Sequence, residues 1–396
     1  SALKKIEIPQ NVINMGSSVF EGCINITDVT LSRVYGSYFY SLFGSEWAVP
    51  SSLSSITYKG DVVEPYMFSF LTDVQTVSLP NATRIESGAF SSCPSLGSVS
   101  LSKNLTSIDS LAFSGCYSLR QMNIPQSVSY IGDRAFSNCS NLESVTLPYN
   151  VQSIEASTFA DCSNLSSLIL PDSIRYIGDM AFDNCYSLKE LTIPDGVESV
   201  GSHILSDCSS LEELTMPKLF GGFLAYVFGG DYYSDYTYVP ESLKSVTIKD
   251  EIVPEYAFTN LSYIKEVYLP NATSIGEYAL FQCSALQNVE LSLDIQSIGE
   301  HAFEKCFSLQ SIALPEGITR IENGTFSECV SLAYVDVASD LTYVGESAFA
   351  SCEQLVSIYL GNLLEEISSF AFSNCKALTS VVVPSTVTRI GDSAFF

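Results

Sequence analysis

Twelve cysteines are the groups in this 396-residue chain most able to do chemistry, as nucleophiles, metal ligands or disulfide partners. They are Cys23, Cys93, Cys116, Cys139, Cys162, Cys185, Cys208, Cys283, Cys306, Cys329, Cys352 and Cys375, and consecutive members mostly stand 23 residues apart. Zinc sites are built from close pairs of the C-x2–4-C kind, which this spacing does not supply. Disulfides are allowed on distance, because stacked turns lie about 4.8 Å apart, within the Cα separation that a bridge tolerates. The arithmetic opposes them: Cys283 to Cys375 is a consecutive run of five, which cannot pair off completely. The equivalent slot also holds Leu71 and Leu261. A slot that accepts leucine is a core slot, and free cysteine behaves as a small buried hydrophobe. Reduced, buried thiols are therefore expected, with no metal site.

A second regular row is acidic: Gly132-Asp133, Gly178-Asp179, Gly299-Glu300, Gly345-Glu346 and Gly391-Asp392. Each carboxylate stands where a short helical turn would begin, so capping of free N–H groups is the expected role. Paired acids about 5–9 Å apart would be needed for glycan hydrolysis, and an evenly spaced row does not suggest them. The two histidines, His203 and His301, occupy one repeat position four turns apart and cannot share a site. No nucleophile elbow, zinc-protease, phosphate-loop or dinucleotide motif is present. The expectation is a chain that is not an enzyme and needs no cofactor.

The elements that position these residues are a repeat. Leu119–Asn141, the next unit from Leu142 and the one from Leu165 all follow L-x-x-I-x-I-P-x-x-V-x-x-I-G-x-x-A-F-x-x-C-x-x. Units open at residues 3, 26, 53, 74, 96, 119, 142, 165, 188, 211, 243, 264, 286, 309, 332, 355 and 378, which makes about seventeen turns of 23 residues, the last one truncated. Leu at the first position, with apolar residues three and five later, marks a short strand facing inward. Proline at the seventh position (for example Pro125, Pro171 and Pro315) lacks the N–H that a parallel ladder needs, so it ends the strand. Ala-Phe fills the core, with Phe as its largest apolar mass. A period of this size indicates a solenoid. The fold class expected is α/β but β-rich, a right-handed solenoid with one parallel strand per turn and columns of Phe and Cys inside.

Residues 1–396 should form one continuous array, because a repeat protein grows along an axis without starting a new core. Two turns are interrupted after their strand, by residues 35–52 and 220–242, and both insertions are aromatic and end in Val-Pro. The sequence after each also matches: Leu79-Pro80-Asn81-Ala82-Thr83 recurs as Leu269-Pro270-Asn271-Ala272-Thr273. The array thus reads as a duplication, 26–210 and 211–396. The insertions should be ordered loops with Phe43, Phe220 and Phe228 buried and Tyr232, Tyr233 and Tyr236 facing solvent.

The L-x-x-I-x-I-P…I-G-x-x-A-F-x-x-C unit resembles the BspA-like leucine-rich repeats, the Treponema pallidum type. The resemblance covers nearly the whole chain. The departures are the short, cysteine-free turns at Leu53 and Leu243 and the turn at Ile26, where Ile replaces the opening Leu. It implies a bacterial cell-surface or secreted protein that serves adhesion and protein binding, with a host or microbial surface protein or glycan as partner. It supplies no catalytic residue to carry over.

The net charge of −26, from 44 acidic and 18 basic residues, repels phosphates, so nucleic acid is not an expected partner. No apolar stretch approaches the ~20 residues of a membrane-spanning helix. Both ends of the sequence look cut from a longer precursor. Candidate binding residues are exposed aromatics: Tyr38, Tyr40 and Trp47 in the first insertion, Tyr232, Tyr233, Tyr236 and Tyr238 in the second, and Tyr268, Tyr334 and Tyr359 among the outward third and fifth positions of the strands. Those outward positions are otherwise mostly Ser, Thr and Asn. A passive spacer that presents another domain is the alternative, and a glycan-acting enzyme is a remote third.

Overall fold

Each repeat folds as the alternation of its apolar positions dictates. In the turn opening at Leu119, Gln121–Asn123 is a strand whose Met122 points inward while its neighbours are exposed. The same element recurs in sixteen turns, and the turn opening at Leu378 pairs through a later two-residue strand, Arg389–Ile390, instead. The computed structural model describes residues 1–34, 38–230, 238–337 and 339–396. It divides into two compact units, 1–211 and 212–396, called units 1 and 2 below.

All strand pairs are parallel and join successive turns in register. In unit 1 the strands Lys5–Glu7, Asp28–Leu31, Ser55–Tyr58, Thr76–Leu79 and Ser98–Leu101 form one sheet in chain order. In unit 2, Glu213–Met216, Ser245–Ile248, Glu266–Leu269 and Asn288–Leu291 do the same. Further along unit 2, Ser311–Ala313, Tyr334–Asp336 and Ser357–Ile358 continue the pattern. A second ladder of two-residue strands, such as Arg84–Ile85, Ser107–Ile108 and Tyr130–Ile131, follows the I-G part of the motif.

Proline ends the strand as its chemistry requires, and its carbonyl closes the corner. Pro125, Pro171 and Pro315 each accept from the N–H three residues on, all at 3.0 Å. The glycine before the acidic residue has a steric reason. A Cβ on Gly132 would stand 2.5 Å from the backbone nitrogen of Ser110 on the preceding turn, and one on Gly178 2.5 Å from that of Ala156. Neighbouring turns touch there through bare backbone.

The far wall is not helical. Phe113, Cys116 and Leu119 are linked by successive turns, Cys116 N–H to the Phe113 carbonyl and Leu119 N–H to that of Cys116. Between these, alternate N–H groups reach the next turn: Arg134 to Ala156, Phe136 to Thr158 and Asn138 to Ala160. Such alternation needs left-handed residues, and each complete turn without an insertion has two on this wall, for instance Arg134 (φ 52°) and Asn138 (φ 59°). The helices that lie wholly within the described residues are four short 3₁₀ segments in the two insertions. The helical turn expected after the acidic residue is therefore absent, and the fold is a parallel β-solenoid.

The core is a pair of columns. Phe68, Phe90, Phe113, Phe136, Phe159 and Phe182 stack with neighbouring centroids 5.3–6.1 Å apart and planes within 7°. Unit 2 repeats this from Phe303 to Phe395, with Leu280 in the Phe slot one turn earlier, fully buried. Offset aromatic contacts of this kind add about 0.5–1.5 kcal/mol each beyond their burial.

The insertions complete their turns, and this differs from the loop expected. In unit 1 the 3₁₀ segment Phe39–Leu42 takes the place of the missing far wall: Phe39 N–H donates to the Met67 carbonyl, and Ser18 and Phe20 donate to Ser41 and Leu42. Phe39 and Phe43 extend the ring column, 5.4 Å from Phe68 and 5.8 Å from Phe20 respectively. In unit 2 the segment Leu224–Phe228 does likewise, with Leu224 N–H bonded to the Ala257 carbonyl. Phe43, Phe220 and Phe228 are all buried.

Candidate functional site

The thiols occupy the interior beside the Phe column. Cys116 Sγ donates to the Phe90 carbonyl at 3.3 Å, and Cys139, Cys162 and Cys185 repeat this bond one turn further each time, to Phe113, Phe136 and Phe159. Ten of the twelve are buried, and Cys23 and Cys375 are half-buried. Burial disfavours the thiolate and pushes the Cys93, Cys139 and Cys283 thiols up to about 12. A thiol held protonated is neither nucleophile nor metal ligand. Among the described residues no three His, Cys, Asp or Glu side chains approach closely enough to hold a metal ion.

Two members of the acidic row, Asp179 and Glu300, work between turns, in place of the capping role expected of them. Asp179 Oδ1 accepts from the backbone N–H of Ser202 at 2.7 Å, on the following turn. Glu300 accepts from the Asn323 amide at 3.0 Å, and Asn323 in turn accepts from Glu346 N–H at 2.8 Å. These side chains lie in line along the far wall and tie successive turns together. His301 is engaged structurally: Nδ1 is 2.6 Å from Glu304, and the ring stacks on Tyr278 at 4.8 Å.

The aromatic candidates fall into separate places. Tyr38 and Tyr40 stack on each other, centroids 5.0 Å apart. Trp47 is 88% exposed on a 3₁₀ segment, Glu46–Ala48. It lines an open groove of about 640 Å³ with Ile24, Pro50 and Phe70, none of which sequence reasoning picked. Tyr238 is exposed. Tyr232, Tyr233 and Tyr236 lie outside the described residues, as does Tyr35. On the sheet of unit 2, Tyr268 is half-buried and donates to Glu266 at 3.0 Å, a bond that raises its phenol above the usual range. Tyr334 and Tyr359 are 61% and 55% exposed, and Ser357, two residues before Tyr359, is the register partner of Tyr334.

On the same face lies a second groove, of about 670 Å³, which sequence reasoning also missed. Glu290, Ala313 and Asp336, all fifth-position residues, form its floor, and Leu293 and Glu316 from the following corner form its wall. Reading the fifth position down successive turns of unit 2, Tyr268, Glu290, Ala313, Asp336, Tyr359, would have revealed it.

A repeated strand, proline corner and Phe–Cys wall define one family. The model for the BspA type leucine-rich repeat region (6 copies) matches residues 1–120, 61–172, 106–234, 231–335 and 273–396. The chain belongs to this family. Among solved structures this BspA-type chain is similar to a leucine-rich repeat protein from Bacteroides ovatus, at 24% identity over 98% of this chain and 92% of that one, with a TM-score of 0.51. That likeness shows the fold. It is also similar to a leucine rich cell surface protein from Faecalibacterium prausnitzii (28% identity, 93% and 88% covered, TM-score 0.40). A third similar chain is the T. pallidum leucine rich repeat protein (21%, 59% and 77%, TM-score 0.24). Comparison with curated protein sequences gives no significant match. The family's repeat arrays are binding scaffolds, and no described helix is long and apolar enough to cross a membrane.

Proposed function

We propose that the chain is the adhesive, protein-binding part of a bacterial cell-surface or secreted protein, and not an enzyme. One observation carries the reading. Large aromatic side chains stand exposed to solvent, with Trp47 at 88%, Tyr334 at 61%, Tyr359 at 55% and Tyr238 at 51%. Rings this open contribute little to the core, whereas aromatics anchor recognition surfaces. Rigid turns hold them in place, which lowers the ordering cost of binding. The family supports a binding scaffold. Tyr232, Tyr233 and Tyr236 belong to the proposal on sequence grounds. The partner is a host or microbial surface protein or glycan, and the array from 1 to 396 is read as one continuous duplicated surface.

The test is a binding panel of extracellular matrix proteins and glycans against the immobilised chain. Saturable binding to at least one partner is expected, weakened tenfold or more when Trp47, Tyr334 and Tyr359 are replaced by Ser, with the melting temperature unchanged. A chain that binds none of the panel is a spacer.

A further inference from the structure

The groove on the sheet of unit 2 brings unpaired carboxylates and an open apolar patch together. On the unit 1 sheet, Glu7 lies 2.7 Å from Lys59 and Asp28 lies 3.4 Å from Lys5, while Glu190 stands exposed with no cation beside it among the described residues. Nearby cations of unit 2 are engaged elsewhere: Lys305 with Glu304 and Glu328, Arg320 with Glu322, Lys376 with Glu353 and Arg389 with Glu366. Glu290, Glu316 and Asp336 are exposed around the groove with no cation beside them among the described residues. The apolar side of the groove is equally open, since Leu293 is 87% exposed and Ala313 leaves a dip between the two flanking acids.

We propose that this groove binds an extended basic segment of a partner protein, seating an aliphatic stem on Leu293 and Ala313 and two cationic heads on Glu290 with Glu316 and on Asp336. The proposal deepens the protein-binding role and rests on it. Spacing favours an extended segment. Glu290 and Asp336 are two turns apart, so about 9.6 Å along the array. A polyproline-type chain rises about 3.1 Å per residue with three residues per turn, which brings side chains i and i+3 to one face about 9.3 Å apart. Arginine suits the site, because its methylene stem covers apolar surface while its head stays in water and its planar fork matches carboxylates. The opposite charge, a phosphate or acidic peptide, meets three unpaired carboxylates and is repelled.

The probe is the fluorescein-labelled hexapeptide Pro-Arg-Leu-Pro-Arg-Pro, titrated by anisotropy into the intact chain at low and physiological salt. Saturable binding is expected, weaker at the higher salt. Glu290→Gln combined with Asp336→Asn should weaken it at least tenfold, and Leu293→Ser about fivefold. Asp172→Asn, which removes one charge at the position equivalent to Glu316 in unit 1, should leave it within twofold. Moving the two arginines next to each other in the probe should weaken binding about threefold. All changed protein residues are exposed, and an unchanged melting temperature verifies folding. Equal binding by the double variant, an equal loss with Asp172→Asn, or no saturable binding below about 1 mM each overturns the assignment. A protein-binding role elsewhere on the surface survives those outcomes, and the partner panel decides it separately.

Discussion

Along the outward face of unit 1 the fifth-position column runs Glu7, Thr30, Thr57, Ser78, Ser100, Asn123, Thr146, Ile169, Thr192, while in unit 2 it runs Thr215, Thr247, Tyr268, Glu290, Ala313, Asp336, Tyr359, Val382. Behind these two faces the interiors are nearly alike, with the same stacked Phe, the same cysteines bonded to Phe carbonyls and the same glycine contacts between turns. One interior difference stands out. The ring stack of unit 1 runs unbroken from Phe68 to Phe182, whereas in unit 2 Leu280 separates Phe258 from Phe303. The contrast shows what each position is selected by. An inward residue must fit the same residue 23 positions away, so change is confined; an outward residue meets solvent and can vary freely.

The strongest way to separate the units is alkali. A thiol whose folded value is raised keeps its proton in the folded state and loses it when unfolded. Its stabilising contribution is therefore complete below the unfolded value of 9.0 and is lost as pH rises towards about 12. Each such thiol withdraws about 1.4 kcal/mol per pH unit in that window, so ordinary stabilities of roughly 5–15 kcal/mol are soon exhausted. Unit 1 holds six buried thiols, Cys93 to Cys208, and unit 2 four, Cys283 to Cys352. Pulsed alkylation with mass spectrometry should label the unit 1 cysteines at lower pH. Simultaneous labelling would mean that the units unfold as one.

A single ring is the next probe. Phe136→Ala, in the middle of the unbroken stack, should cost about 4 kcal/mol in urea unfolding. Phe303→Ala, with Leu280 on one side, should cost about 1 kcal/mol less, the value of one ring contact. Equal losses would show that the break at Leu280 is of no consequence.

The turn-to-turn contacts should not distinguish the units at all. Gly178→Ala and Gly299→Ala would place a Cβ 2.5 Å and 2.6 Å from backbone nitrogens of the preceding turn. Each is expected to cost about 2–3 kcal/mol in the same unfolding experiment, and a marked difference would refute the equivalence of the two interiors.

The smallest effect is a gain. Leu111 (φ 60°) and Ser347 (φ 55°) hold left-handed conformations at a slot that Gly88 and Gly324 fill one turn earlier. Replacing either by Gly should raise stability by up to about 1 kcal/mol, read as a shift in the urea midpoint. A loss at Leu111 alone would reveal packing by its half-buried side chain.

The sequence by itself determined the path of each turn: where the strand lies, where proline stops it and which column is Phe or Cys, because one 23-residue pattern repeated many times has a single consistent set of inward faces. It also marked Phe43, Phe220 and Phe228 as buried, since rings so numerous in an insertion need cover. Only the tertiary structure decided three things. Residues 39–42 and 224–228 replace a wall because the next turn offers unpaired carbonyls at Met67 and Ala257. Asp179 bonds the following turn and not its own because the chain after it runs in β-turns and offers no helix N-terminus. Glu290, Leu293, Glu316 and Asp336 make one groove although they span nearly fifty residues of sequence. The physical reason is common to all three: along a solenoid, a residue's closest lateral neighbours are one period away, about 4.8 Å in space and 23 residues in the chain.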